Sequence, residues 1–311
     1  MLQKYFFLIS DKDMCVAITA FVFGTLTMWT LKTITNLQTL DFSNIMKQPQ
    51  NLLTRAFETN FTILFYAKPD WSDYKTFSFD NCSYRNCKFT TDTKQLSTST
   101  AVIFHHDSFS TLPVKASGQI WIFATLESPY HTRVSFKTDK SKMKFNWTMT
   151  YRKDAEGFSP YALLKKQIHI PFKNYTSIFL NKTHHIAWVV SDCQSQSKRE
   201  AYVNELSKYI DVDIYGKCGK PCSFTEDCKV HLSKTYKFYL SFEKSLCKDY
   251  LTEKITSMYM NGIDFIPIVR GAPNAKDYLP NNTYIQTSDF KSPQTLAAFL
   301  KTIGSDETRY T

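Results

Sequence analysis

The stretch Tyr236–Gly271, YKFYLSFEKSLCKDYLTEKITSMYMNGIDFIPIVRG, decides the fold. Tyr236 to Phe242 alternates aromatic and apolar residues and runs into a charged turn, the pattern of a buried strand reaching a sheet edge. Lys248, Asp249 and Tyr250 lead into Thr252, a candidate helix N-cap, with Glu253 and Lys254 in the first turn. Ile255, Met258 and Tyr259 make one apolar face, and Gly262 is a natural stop. Ile266-Pro267-Ile268-Val269 then predicts a second short buried strand, ending at Arg270-Gly271. Together these form a β-α-β unit, which holds its ligand at the carboxyl ends of the strands, beside the helix N-terminus. An acid and a lysine at that position suit the ribose and phosphates of a nucleotide. On spacing alone, the pair reads as ordinary solvated helix residues.

The wider pattern changes that balance. YKFYLSFE-K-S-x-C-K-D-Y-L-T-E-K, followed by IPIVRGAPN, resembles the donor-binding signature of the α1,3-fucosyltransferases, glycosyltransferase family ten. That signature runs roughly YKFYLxFENSxxxDYxTEK and then xPVVxGAxN, and the match is ungapped. The resemblance implies that Glu253 bonds the ribose, Lys254 stabilises the leaving diphosphate and Tyr250 lines the nucleotide pocket. Lys244 replaces the usual asparagine and adds a positive charge near the donor.

The 311 residues suffice for two domains, and 43% hydrophobic content with 15% aromatics supports packed cores. The net charge of +10 comes without a long basic block or an arginine-rich helix, so nucleic acid is not the natural partner. An anionic sugar nucleotide or an acidic membrane surface suits it equally.

Met14 to Leu31 carries no charge, and at ~1.5 Å per residue it spans roughly 27 Å, close to a hydrocarbon core of ~30 Å. No small-x-small cleavage site follows it, so a single-pass signal anchor is expected rather than a cleaved leader. This gives a cytoplasmic tail over 1–13, an anchor over 14–31 and a stem over 32–60. Six Asn-x-Ser/Thr sequons, at Asn60, Asn81, Asn146, Asn174, Asn181 and Asn281, put the remainder in the secretory lumen. Of eight cysteines, Cys15 lies in the anchor and seven are lumenal, an odd number that leaves one free or paired between chains. Cys82 and Cys87 are close enough for a local bridge. Cys193, Cys218, Cys222 and Cys228 cluster at one predicted sheet edge, and disulfides rather than zinc are expected there.

Along the chain, Thr62–Tyr66, Thr100–His105 and Gln119–Leu126 read as strands of a first domain over 61–183. His105-His106-Asp107 invites a catalytic or metal reading, but two surface histidines after a buried strand explain it as well. Glu127-Ser128-Pro129 at the next strand tip resembles the family's FESP-like motif, which implies that Glu127 is the catalytic base. A partly desolvated carboxylate there can have its pKa raised toward the working pH. FNWTMTYRKDAEGFSPYA (145–162) resembles FNWTxxYRxDSDxxxPYG, with Ala155-Glu156 replacing Ser-Asp. The resemblance adds Arg152 and Tyr161 to the cofactor-binding set, although a buried Arg-Asp pair at a domain junction would explain the motif equally. Lys165 to Thr183, basic and with two sequons, reads as an exposed linker. Ile186–Ser191 opens the second domain, 184–311, followed by a helix from about Lys198 to Tyr209. Arg199 at the start of that helix matches the family's phosphate-binding arginine. VDIYG (212–216) and DFKSPQTLAAFL (289–300) resemble further family segments.

Alternating strands and helices in both halves imply an α/β protein of GT-B type, with two Rossmann-like domains facing a cleft. The resemblance implies an inverting α1,3-fucosyltransferase of the Golgi membrane, using GDP-β-L-fucose and an N-glycan or lactosamine-type acceptor. No tightly bound cofactor and no metal ligand set are expected, with Mn²⁺ stimulatory at most; whether the protein is a homodimer stays open. Family members usually continue past a D-x-x-x-Y stretch into an aromatic segment and a final helix. The alternative is therefore an inactive lumenal relative that binds GDP or glycans.

Overall fold

The computed structural model describes residues 5–8, 60–67, 79, 85–109, 111–132, 145–166, 172–260 and 263–311. Two compact units divide the chain: Ser10–Ser159, and Pro160–Thr311 together with Met1–Ile9.

The first unit holds a sheet of Phe61–Ala67 (β1), Cys87–Thr90 (β2), Ala101–His105 (β3), Ile120–Thr125 (β4), Trp147–Thr150 (β5) and Gly157–Phe158 (β6). The order is β2-β1-β3-β4-β5-β6, and every pairing is parallel. Continuous apolar runs form β1, β3 and β4 because both faces of such a sheet are covered. Ile63, Phe65, Ile103 and Ile122 pack on one face, and Leu64, Val102, Phe104 and Trp121 on the other. The strand order reverses between β1 and β3. The carboxyl end of β3 delivers His105–Asp107, and that of β4 delivers Glu127.

The second unit repeats the principle with His184–Val189 (β7), Val212–Tyr215 (β8), Tyr236–Phe242 (β9), Ile266–Arg270 (β10) and Ile285–Gln286 (β11). The order is β8-β7-β9-β10-β11, again parallel throughout, so the reversal lies between β7 and β9. Its helices are Tyr175–Asn181 (α1), Arg199–Leu206 (α2), Cys228–Ser233 (α3), Glu253–Thr256 (α4), Pro293–Gly304 (α5) and Glu307–Tyr310 (α6). Ser292 caps α5 in a capping box with Thr295, and Pro293 supplies the preset first turn. Leu296, Leu300 and Ile303 then bury against Phe238 and Leu240 of β9 and Val203 and Leu206 of α2.

Several expectations change. The supposed linker contains α1 and belongs to the second unit. Lys173 pairs with Asp264, Lys182 donates to the carbonyls of Ser233 and Asp264, and Phe179 packs on Tyr310. Charge and sequons disguised the half-buried Ile178 and Phe179 that make it a packed helix. Cys87 is a free thiol rather than the partner of Cys82, which lies outside the described residues. Cys193 bridges Cys218, and Cys222 bridges Cys228.

The expected anchor, 14–31, and nearly all of the stem also lie outside the described residues. Among the described residues no helix is long and apolar enough to cross a membrane. Tyr5–Leu8, expected in a cytoplasmic tail, pairs antiparallel with Leu163–Lys166.

Phe238 is fully buried beneath α5 and α6. We expect Phe238→Ala to lower the unfolding free energy by about 3–5 kcal/mol in denaturant titration. A loss below about 1 kcal/mol would contradict its place at the centre of this core.

Candidate active site

The carboxyl end of β9 is held by its own carbonyls. Phe242 O accepts from Arg199 Nη1 at 2.8 Å, Glu243 O from Ser197 Oγ at 2.7 Å and Lys244 O from Ser197 N at 3.0 Å. Arg199 Nη2 also donates to Asp192 O at 2.9 Å, just past β7. The guanidinium thus ties β7 to β9 across the point where strand order reverses, the usual ligand crevice of an open α/β sheet. It is 3% exposed, lies 5.7 Å from the Trp188 ring and has Nε 3.3 Å from Glu200. Arg270, at the end of β10, adds a further tie through Nη1 to Ser197 O at 2.8 Å. Arg199 therefore sits at the predicted crevice, but as a buried latch with three of its donors engaged within the unit.

The side chain of Glu243 points into the same region and is buried. Its Oε1 accepts from Thr252 N and Thr252 Oγ1, both at 2.9 Å, and its Oε2 lies 3.7 Å from Lys254 Nζ. Thr252 caps α4, and Ser241 Oγ donates to Lys254 O at 2.9 Å, so this short helix is fixed to the strand end. Gly271 is required here: a Cβ would come within 2.7 Å of Glu243 Cγ. Asp249 adopts a left-handed conformation (φ 64°), stabilised because its carboxylate accepts from Asn274 Nδ2 at 2.8 Å and Tyr278 Oη at 2.7 Å. Asn274 belongs to the GAPN run, whose spacing is thereby explained.

Four predicted residues come together around this edge. Tyr250 is buried, and its ring meets Tyr161 edge-on at 6.1 Å. Lys254 Nζ donates to Thr252 Oγ1 at 3.1 Å and to Glu253 Oε1 at 2.9 Å. Glu253 stays 58% exposed on its side chain. Desolvation raises its pKa, but Lys254 and Lys229 outweigh that and hold the carboxyl below its ordinary range. Lys229, from α3, bonds Ser257 Oγ at 2.8 Å, and burial lowers its pKa. Glu243, Asp249 and Lys229 escaped the sequence reading. Glu243 and Asp249 stand within the matched signature, but nothing there gave them a role.

In the first unit Glu127 lines a cleft of about 600 Å³ with Phe123, Thr125, Thr150, Arg152 and Asp154. Its backbone N–H donates to Thr125 Oγ1 at 3.1 Å. Arg152 forms a two-pronged pair with Asp154, Nε to Oδ1 being 2.7 Å, but the pair is open to solvent rather than buried. Glu156, replacing the family aspartate, accepts from Thr148 N and Oγ1, both at 2.8 Å.

His106 is buried and His105 largely so, which corrects the surface reading. His105 Nδ1 contacts Asp107 Oδ1 at 2.5 Å, and burial lowers the histidine pKa despite that carboxylate. Ligand atoms of His105, His106 and Asp107 lie within 4.8 Å of one another, a grouping that could hold a cation. Donation from His105 Nδ1 to Asp107 already accounts for the closest pair.

Residues 58–162 match the family described as "Fucosyltransferase, N-terminal", and 179–311 match "Glycosyltransferase family 10 (fucosyltransferase) C-term". The chain is 36% identical over 245 residues to Glycoprotein 3-alpha-L-fucosyltransferase A of Drosophila melanogaster, covering 74% of this chain and 46% of that protein. It is 34% identical over 283 residues to 4-galactosyl-N-acetylglucosaminide 3-alpha-L-fucosyltransferase 9 of Bos taurus, covering 86% and 75%. Among solved structures, an alpha1,3-fucosyltransferase with GDP-fucose superposes at a TM-score of 0.53 and 17% identity over 81% of this chain and 80% of that one. Its complex with GDP gives 0.52 and 18%. The fold is accordingly α/β and GT-B-like.

Burial raises the pKa of Glu243, outweighing the Lys254 charge and the Thr252 hydrogen bonds. The native state therefore holds its proton to higher pH than the unfolded chain. Its stabilising contribution is complete below the ordinary carboxylate pKa of ~4.3 and is lost as pH rises through the raised native value. We expect unfolding free energy, measured by denaturant titration across pH, to carry a component that declines over that window. In Glu243→Gln that component should vanish; an unchanged profile would contradict the assignment.

Proposed function

The chain belongs to glycosyltransferase family 10, the fucosyltransferases, and on that premise we propose that it transfers L-fucose from GDP-β-L-fucose to an N-acetylglucosamine unit of a glycan, forming an α1,3 linkage. The observation that carries this reading is the β9 edge, where Glu253 and Lys254 gather beside Glu243 while Arg199 holds the carbonyl of Phe242 at the same strand end. Glu253 bonds the ribose, Lys254 faces the diphosphate and Tyr250 with Tyr161 backs the nucleotide. Arg199 adds its charge from beneath while holding the loop in place. Cations fixed before the reaction stabilise the charge that develops on the leaving diphosphate.

In this scheme the acceptor hydroxyl oxygen attacks the fucose anomeric carbon as the bond from that carbon to the phosphate oxygen breaks. GDP leaves with the bonding pair, and Glu127 takes the hydroxyl proton. One displacement inverts the anomeric centre. Lys254 and Arg199 supply the positive charge, so this scheme requires no metal.

The disulfides and the exposure of Asn60, Asn146, Asn174, Asn181 and Asn281 favour an oxidising secretory lumen, and we propose the Golgi. Attachment through 14–31 fits the sequence, but a bilayer crossing there would separate Tyr5–Leu8 from Leu163–Lys166. The two arrangements exclude each other.

We expect Glu127→Gln to reduce fucose transfer about 10²–10⁴-fold, read by mass spectrometry with N-acetyllactosamine and a core-type N-glycopeptide as acceptors. GDP affinity, measured by calorimetry, should be unchanged. Full retention of transfer would remove Glu127 as the base. Lys254→Met should weaken GDP binding by about tenfold, the worth of one charge-assisted contact; unaltered affinity would remove Lys254 from the diphosphate site.

A further inference from the structure

The β4 tip carries more than Glu127. Ser128 is fully buried, and its carbonyl accepts from His131 N at 2.9 Å, Thr132 N at 2.8 Å and Thr132 Oγ1 at 2.9 Å. Thr132 Oγ1 also reaches Glu127 O at 3.4 Å. Residues 127–132 thus form a closed, internally bonded turn with little freedom to relax. At its apex the ring of Tyr130 stands 70% exposed, touched edge-on by His131 at a centroid distance of 5.1 Å. Pro129, its neighbour, lines the Glu127 cleft.

A solitary exposed aromatic is unremarkable on a protein surface. Two features separate Tyr130 from the exposed Phe172 or Leu180. It is three residues from the proposed base, on the same internally bonded turn. Its neighbour Pro129 also lines a cleft whose polar groups include the threonines Thr125 and Thr150 and the carboxylate–guanidinium pair of Asp154 and Arg152. Pyranose rings present hydroxyls at their edge and a patch of C–H groups on a face. Polar groups in the cleft match the first, and the electron-rich face of an aromatic ring matches the second. Tyrosine also orders only two side-chain torsions on binding, which limits the entropic cost.

We propose that Tyr130 is a specificity-determining residue that stacks on a sugar ring of the acceptor glycan at the mouth of the Glu127 cleft. The inference rests on Glu127 marking the acceptor side. The ring orients the acceptor and takes no part in proton transfer, so its loss acts on acceptor KM and spares the chemical step.

The test uses the full chain with GDP-fucose and whichever of N-acetyllactosamine or a core-type N-glycopeptide it fucosylates. Tyr130→Ala should raise acceptor KM by about 3- to 10-fold, the range for one aromatic contact. Donor KM, calorimetric GDP affinity and kcat should stay at parent values, the unchanged kcat showing that the unit carrying Glu127 is folded. Tyr130→Phe and Tyr130→Trp should restore acceptor KM. An unchanged acceptor KM in Tyr130→Ala, an equal loss in Tyr130→Phe or a parallel rise in donor KM would each overturn the proposal. Glu127→Gln is run alongside: full activity there removes the base assignment while leaving the Tyr130 result to be judged by acceptor KM. Transfer to neither acceptor by the parent enzyme would defeat both.

Discussion

A carboxyl group taken out of water at a strand end is the constraint on which the second unit depends. Glu243 follows seven residues of buried strand and has almost no contact with solvent. Leaving such a group unpaired costs several kcal/mol, so its surroundings are obliged to answer it. Thr252 does so twice, with its amide and its hydroxyl, and in the same position caps α4. Lys254 approaches next, and Gly271 gives up a side chain to make room. One buried acid therefore fixes where the short helix begins and where its first-turn charges stand. On the main-chain side, the carbonyls of Phe242, Glu243 and Lys244 fix Ser197 and Arg199. The two loops flanking the strand-order reversal are held from a single strand end.

The first unit uses the same architecture with a different edge chemistry. Its β4 tip is closed by amide and hydroxyl bonds to a carbonyl rather than around a buried carboxyl group, and the adjoining cleft is rich in threonine hydroxyls. Glu156 shows how the sheet tolerates a longer acid than the related pattern carries. The extra methylene lets the carboxylate reach back to Thr148, where it secures β5. A fixed scaffold edge with variable polar groups is how one fold accommodates separate binding tasks in its two halves.

Much of the fold was legible in the sequence because parallel strands covered on both faces leave unbroken apolar runs. ILF at 63–65, VIF at 102–104 and the β9 run announced themselves, as did the Thr252 cap. Helix α1 did not, because the lysines and sequons around it mask the two apolar side chains it packs. The histidines after β3 were misjudged as exposed, since a turn that folds back under the sheet leaves no mark in periodicity. The roles of Glu243 and Arg199 also lay beyond local pattern. The partner of Glu243 is 9 residues away across the following turn, and that of Arg199 is 43 residues away on an element that only the strand order brings close. The cap and first-turn charges could be read from the segment, whereas the buried Glu243–Thr252 contact within it and the Arg199 contact across the strand order could not.

Amide hydrogen exchange with and without GDP tests the donor edge most directly, because it reports on both loops at once in the unmodified protein. Joint anchoring from β9 predicts that GDP slows exchange together in residues 192–199 and 249–256, with Thr252 among the most protected amides even before ligand is added. Binding of GDP with neither segment responding would contradict the placement of the donor at this edge.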